Sequence, residues 1–189
     1  TVLEEIKDVV NPKKHTIISV VTGRKTDEIE SVLGADVPII RSMPNTAISV
    51  GQSMTCLSAN EKGKENMECA KTIFNSLGKT MCIEEKLMQA ATVICASGIA
   101  FWMRLIRATT QGAVQLGFDS KEAQELSVQT CLGAASLLIH SGSHPEQEID
   151  KVTTPSGCTI EGLNEMEHQG LSSSLIKGLV TSFEKINQI

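Results

Sequence analysis

The chain has 189 residues, enough for one domain or two small ones and for a core that needs no staples. Hydrophobic residues make up 41% and charged residues 21%, which excludes long disorder, a collagen-like repeat and a disulfide scaffold as overall descriptions. Aromatic residues are only 3%, with no Tyr, and the formal charge is −5, so neither a base-stacking platform nor a global basic footprint for nucleic acid is expected.

Residues 1–10 carry Val2, Leu3, Ile6, Val9 and Val10 on one side and read as a helix, stopped by Asn11-Pro12. Residues 16–21 form a short β-branched run that ends near Gly23, a buried strand followed by a turn. Residues 26–33 read as a helix closed by Gly34, and residues 37–41 as a strand that Pro38 enters. Residues 48–57 alternate loosely and read as a further strand. Residues 62–77 read as a helix with Met67, Ala70, Ile73 and Phe74 inward and Gly78 as its stop, and residues 79–83 as a strand. Strand and helix alternate here, which argues for part of an α/β sheet. The charge-rich stretch 60–68 reads as a solvated turn and helix start.

After residue 84 the strand signal ends. Residues 84–116 are helical, with a joint near Ser97-Gly98, and residues 120–140 form a second long helix introduced by Asp119 as N-cap. Residues 145–150, 159–169 and 172–187 are the remaining helices. The fold class is therefore α/β followed by an all-α part. Gly112, Ala113, Gly133, Ala134 and Ala135 put small residues on the long helices, which suits either intramolecular packing or a subunit interface.

The six cysteines are spaced too widely for a metal knuckle, and no signal peptide is visible. They read as reduced, mostly buried thiols of a cytoplasmic protein. The apolar stretch 87–103 contains polar residues and falls short of the ~20 residues a membrane span needs, so it reads as a buried interface helix. His140 and His144 are four apart, but Ser-Gly-Ser separates them and no third ligand is evident, so no metal is expected.

Two loops can carry chemistry. Arg41-Ser42-Met43-Pro44-Asn45-Thr46 follows a strand, where ligands of α/β sheets bind, and Asn45 offers a donor and an acceptor to an amide or a ribose. An ordinary Pro-Asn turn has the same composition. Val152-Thr153-Thr154-Pro155-Ser156-Gly157-Cys158-Thr159 precedes a helix with Thr159 as its expected N-cap, and free N–H groups there suit a carboxylate. An ordinary helix-entry loop is the alternative.

These loops and two blocks between them resemble the pyrroline-5-carboxylate reductase family. The family's V-I-R-x-M-P-N-T-P stands as Ile39-Ile40-Arg41-Ser42-Met43-Pro44-Asn45-Thr46-Ala47, and its S-G-P-A-Y-x-F as Ser97-Gly98-Ile99-Ala100-Phe101-Trp102-Met103. Its Q-T-x-x-G-A-A is Gln129-Thr130-Cys131-Leu132-Gly133-Ala134-Ala135. Its H-P-x-x-L-x-x-x-V-T-S-P-G-G-T-T-I runs from His144-Pro145 to Val152-Thr153-Thr154-Pro155-Ser156-Gly157-Cys158-Thr159-Ile160. The blocks keep their order and spacing over essentially the whole chain. Ala47, Ile99, Phe101, Ser156 and Cys158 depart from the pattern.

The resemblance implies a distal part of a Rossmann-type dinucleotide-binding domain over residues 1–93 and an all-helical dimerisation and substrate-binding domain over residues 94–189. Family members open with a G-x-G-x-x-G fingerprint that this sequence does not contain, so about 75 residues of Rossmann start are expected before Thr1. The implied activity is hydride transfer from NADPH or NADH to a cyclic imine carboxylate, 1-pyrroline-5-carboxylate, giving L-proline. Val20, Val21, Thr22 and Gly23 would lie beside the nicotinamide with Met43, Pro44, Asn45 and Thr46. The substrate would be held by Val152, Thr154, Pro155, Ser156, Gly157, Cys158 and Thr159, with Thr159 orienting the ring nitrogen as the catalytic residue. A homodimer, or a decamer built as a pentamer of dimers, is implied, with no nucleic acid and no membrane. Two alternatives remain open: a truncated non-catalytic dimerisation module, or a divergent imine reductase. A β-hydroxyacid or phosphogluconate-type dehydrogenase needs a Lys on the interdomain helix, where residues 84–117 offer only Lys86 at the start.

Overall fold

A computed structural model describes residues 2–188. The chain divides into two compact units, one of them Ala100–Gly178 and the other formed by the residues before and after it.

The first unit is built on a four-stranded mixed sheet, in spatial order β1 (Ile17–Ser19), β2 (Ile39–Met43), β3 (Ser53–Ala59), β4 (Gly78–Cys82). The β1–β2 and β3–β4 pairs are parallel and β2–β3 is antiparallel. Strand β2 is buried along its whole length, as a strand covered on both faces must be. Successive side chains alternate faces. Ile39 therefore joins Ile29 and Val37 in one core, flanked by Leu3 and Leu33 from helices α1 (Val2–Ile6) and α2 (Thr26–Leu33). Ile40 joins Leu57, Ala70 and Phe74 on the opposite side, under helix α3 (Met67–Asn75). A third core of Met43, Cys56 and Met88 lies where helix α4 (Met88–Ala91) meets the sheet.

Several sequence expectations change. Residues 48–50 are not strand. Thr46–Val50 is a 3₁₀ turn whose start is held by the Asn45 side chain accepting from the Ala47 N–H, and Gly51 closes it at φ +67°. The short polar side chain offers the backbone a partner that the sheet ladder cannot match. The helix expected from residue 62 begins with a 3₁₀ turn, Gly63–Asn66, and Ile73 points outward at 46% exposure. Gly78 is not a helix stop but the first residue of β4. Its φ is +148° and a Cβ there would strike the Ser53 backbone, so only glycine lets β3 and β4 close. The first helix ends at Ile6 rather than near Val10.

The stretch 60–68 is not simply a solvated turn, because Asn60 and Gly63 are buried. Asn60 Oδ1 accepts from the N–H groups of Ile39 and Gly63 at 2.9 and 2.7 Å. Its Nδ2 donates to the Val37 carbonyl at 3.0 Å and to Glu30 at 2.8 Å. The cysteines are not mostly buried: Cys56 is, Cys95 and Cys131 are partly covered, and Cys69, Cys82 and Cys158 are exposed.

A helical run from Glu85 to Gln115 follows the sheet. It contains α4, a π turn over Thr92–Ser97 and helix α5 (Gly98–Gln115), so the expected joint at Ser97-Gly98 is the end of the π turn. With 31 residues the run is long and apolar enough, by length and composition, to cross a membrane, longer than the stretch the sequence suggested. Five of its large apolar residues, Leu87, Ile94, Trp102, Met103 and Val114, are exposed.

The second unit is all helical, formed from α5, α6 (Ser120–Ser141), α7 (Pro145–Val152), α8 (Cys158–His168) and the start of α9 (Leu171–Ile186). Asp119 caps α6 by accepting from the Lys121 and Glu122 N–H groups at 2.8 and 2.9 Å. His144 caps α7, accepting from the Glu146 N–H, and His140 contacts the Ser136 carbonyl through Nδ1. Apolar residues lie all round α6: Leu126, Val128, Leu132, Leu137 and Ile139 are exposed while Ala123 is buried. Among the described residues nothing lies within 4 Å of where a Cβ would sit at Gly112 or Gly133, so packing among them does not explain these glycines.

Candidate functional site

The first group of sequence-predicted residues lies at one edge of the sheet. Strands β1 and β2 run parallel with Ser19 opposite Arg41, so their carboxyl ends open side by side. Open α/β sheets bind ligands at that edge. The Ser42 hydroxyl donates to the Ser19 carbonyl at 3.3 Å and ties the two ends together. The loop 20–23 leaves β1 here. Val20 and Val21 are each 56% exposed and form an apolar ledge, and Gly23 turns the chain at φ +81°.

The residues 43–46 leave β2 at the same edge. The Met43 side chain is buried among Cys56 and Met88 and anchors the loop. Pro44 and Asn45 are half-buried and Thr46 is exposed. Asn45 is held at three points: its N–H donates to Ser53 Oγ at 3.2 Å, its Oδ1 accepts from Ala47, and its Nδ2 donates to the Cys95 carbonyl at 3.0 Å. The amide can still donate its second N–H and accept at its second lone pair.

Behind this edge, Arg41 is buried and its guanidinium meets Glu85, which also accepts from the Thr26 N–H and hydroxyl, both at 2.7 Å. Glu85 thereby caps α2, whose own N-cap residue Lys25 makes no side-chain bond. Burial pushes the Glu85 carboxyl up, but the Thr26 hydroxyl, the Thr26 N–H and Arg41 outweigh it and hold it below the usual carboxylate value. The sequence reading missed Glu85, Thr26, Asn60, Ser53 and Cys95. Most have partners far along the chain, as with Asn45 and Cys95 at 50 residues, while Ser53 lies eight residues from Asn45 across the turn; no local motif marks them.

The second group forms one built loop in the helical unit. Helix α7 ends at Val152, and the Thr153 hydroxyl donates to the Asp150 carbonyl at 3.0 Å. Thr154-Pro155-Ser156-Gly157 then makes a turn closed by the Gly157 N–H donating to the Thr154 carbonyl at 2.9 Å. Pro155 supplies the fixed φ of the second turn position, and Ser156 takes the third at φ +55°, where glycine is favoured. Gly157 lies so close to Thr154 that a Cβ would collide with the Thr154 hydroxyl.

Thr159 is not the N-cap it was expected to be. Gly157 occupies that position, and Cys158 and Thr159 are the first two residues of α8. The turn fixes Gly157 in extended backbone, so the N-cap lies two residues earlier than the hydroxyl pattern suggests. Among the described residues no side chain caps α8, which leaves its first-turn N–H groups and dipole for an anion. Cys158 is exposed and Thr159 half-exposed beside them.

Comparison with known proteins settles the family. A family model for pyrroline-5-carboxylate reductase dimerisation matches residues 85–189. The chain belongs to the pyrroline-5-carboxylate reductase family. It is 51% identical to pyrroline-5-carboxylate reductase 1 of Dictyostelium discoideum over 97% of this chain, but spans only 35% of that protein's length. The solved pyrroline-5-carboxylate reductase of Coxiella burnetii superposes with a TM-score of 0.93 at 31% identity, over 99% of this chain and 70% of that one. The Plasmodium falciparum pyrroline carboxylate reductase, solved with NADP bound, gives a TM-score of 0.90 at 26% identity over 99% of this chain and 71% of its own. The fold is thus the reductase one, a partial Rossmann-type α/β sheet followed by the family's helical dimerisation domain.

Proposed function

We propose that the protein carrying this chain reduces 1-pyrroline-5-carboxylate to L-proline with NADPH or NADH. The observation that carries this reading is the Thr154–Gly157 turn delivering an uncapped helix start, a carboxylate seat, in a member of this family. The nicotinamide, when bound, supplies the hydride that reduces the imine carbon. The residues at the β1 and β2 ends suit it: the Val20–Val21 ledge is apolar enough for a ring face, and Asn45 is rigidly held with hydrogen-bonding capacity to spare.

This chain's own part is placement. The N–H groups of Cys158 and Thr159 hold the substrate carboxylate, and the Thr159 hydroxyl orients the ring nitrogen, which takes up the proton. Val152, Thr154 and Pro155 shape the seat, while Ser156 and Gly157 set the turn. Holding two reactants in one geometry supplies much of the rate.

A homodimer fits the family's dimerisation match and the uncovered apolar residues of α5 and α6. This makes protein, rather than lipid, the cover for the run Glu85–Gln115, and a pentamer of dimers is the next tier. The thiol-rich composition fits a cytoplasmic setting.

The test is Thr159→Val in the protein at its native length. The KM for the imine rises about tenfold or more, the loss of one substrate hydrogen bond, with little change in the KM for the nicotinamide. Equal effects on both, or none, would remove Thr159 from the substrate site.

A further inference from the structure

We infer that Cys56 and Cys95 form an oxidisable pair that closes to an intramolecular disulfide and locks the Asn45 loop. The two sulfurs lie 4.0 Å apart, joined by a thiol hydrogen bond. Cys56 stands in the middle of β3 opposite Met43, and Cys95 stands in the π turn Thr92–Ser97. Cys56 is sealed from solvent while Cys95 is partly exposed, so a reagent reaches the pair through Cys95. Met43, Met88, Ile83 and Ala91 surround them with apolar surface. The hydrogen bond from Cys56 lowers the Cys95 thiol to about 7, against burial that raises it, while the same contact and burial hold Cys56 well up. Cys95 is thus the nucleophile and Cys56 the resolving thiol.

The oxidant is a low-molecular-weight disulfide. The Cys95 thiolate attacks one of its sulfurs, forming a mixed disulfide and releasing one thiolate, which takes a proton from solvent. The Cys56 sulfur then attacks the Cys95 sulfur, and its proton leaves with the second small thiol. Two protein thiols lose two electrons, and one small disulfide becomes two thiols. The cross-link joins β3 to the π turn whose Cys95 carbonyl receives the Asn45 amide. Oxidation therefore fixes the loop at the strand ends. The inference rests on the sulfur contact and on the unequal exposure of the two thiols, and stands independently of the reductase reading.

The test is incubation of the full chain with oxidised glutathione, followed by non-reducing peptide mapping and thermal unfolding. The expected result is a Cys56–Cys95 linked peptide pair that disappears with dithiothreitol, and a reversible rise in Tm on the order of 5 °C. In Cys95→Ser, Cys56 stays reduced at the same glutathione disulfide concentration. The proposal is overturned if Cys95 accumulates only as the glutathione adduct, if links form only among the exposed Cys69, Cys82 and Cys158, or if the linked protein shows no rise in Tm.

Discussion

The guanidinium of Arg41 lies 3.1 Å from the carboxylate of Glu85, and Arg41 is 4% exposed in the middle of the sheet. The same carboxylate caps α2 through Thr26. One acidic side chain thus joins a central strand, a helix start and the first turn of the long helical run.

Glu85→Gln leaves a buried guanidinium without its counter-charge. We expect a loss of about 3 kcal/mol at pH 7, seen as a Tm drop of about 6–12 °C in a chain of this size. The pH dependence follows from the lowered carboxyl. Its ordinary value is 4.5 and the folded value lies below that. The stabilisation is fully present above pH 4.5 and is lost as pH falls through the folded value. Denaturant titrations at several pH values should show wild type and Glu85→Gln converging in acid. A gap that stays constant down to pH 3 (about a unit below the ordinary carboxylate range) would contradict the assignment.

Asn60 supplies two acceptor and two donor contacts to a buried corner. Asn60→Ala strands the Ile39 and Gly63 N–H groups and the Val37 carbonyl, at a cost of about 3 kcal/mol or more. Asn60→Asp is nearly as damaging, because it keeps the acceptors but turns a second carboxylate oxygen toward Glu30 and the Val37 carbonyl. Chemical denaturation of both variants checks this; a fully tolerated Asp would mean that the donor contacts contribute little.

Much of the architecture was legible because its causes are local. Helix α2 runs over the expected residues, closed by Gly34 at φ +99°, and Asp119 caps α6 as its position suggests. Local composition also marked the loops 41–46 and 152–159, which the structure builds as the segment leaving β2 and a turn leading into α8. Asn60 was hidden because a polar residue in a charge-rich stretch looks solvated until its partner Ile39, 21 residues earlier, is in place. Glu85 was hidden for the same reason, its partner Thr26 lying 59 residues away. Residues 48–50 read as the start of a strand because apolar residues alternate there, while the deciding contact is one Asn45 side chain.

The turn at residues 154–157 separates conformational strain from close approach. Ser156→Gly removes a side chain from a left-handed position and should stabilise the protein slightly, by about 0.5 kcal/mol, with no loss of imine affinity. Gly157→Ala drives a methyl group into the Thr154 hydroxyl and should raise the KM for the imine about tenfold or more. Steady-state kinetics and Tm on the two variants check both signs. A weaker imine affinity in Ser156→Gly would mean that the serine itself contacts substrate.

Leu137 on α6 is 57% exposed and is expected to be covered by a second copy. Leu137→Asp should weaken self-association about tenfold or more, since truncating a central interface anchor costs over about 1.4 kcal/mol. Light scattering across a dilution series reads this directly. An unchanged dimer would move the interface away from this face of α6.

The most direct measurement is turnover by the protein at its native length, with 1-pyrroline-5-carboxylate and either nicotinamide, following proline formation and cofactor oxidation together. The account expects one proline for each NADPH or NADH consumed and no oxidation without the imine. A folded protein that forms no proline with either cofactor would contradict it and leave the chain as a dimerisation module without catalysis.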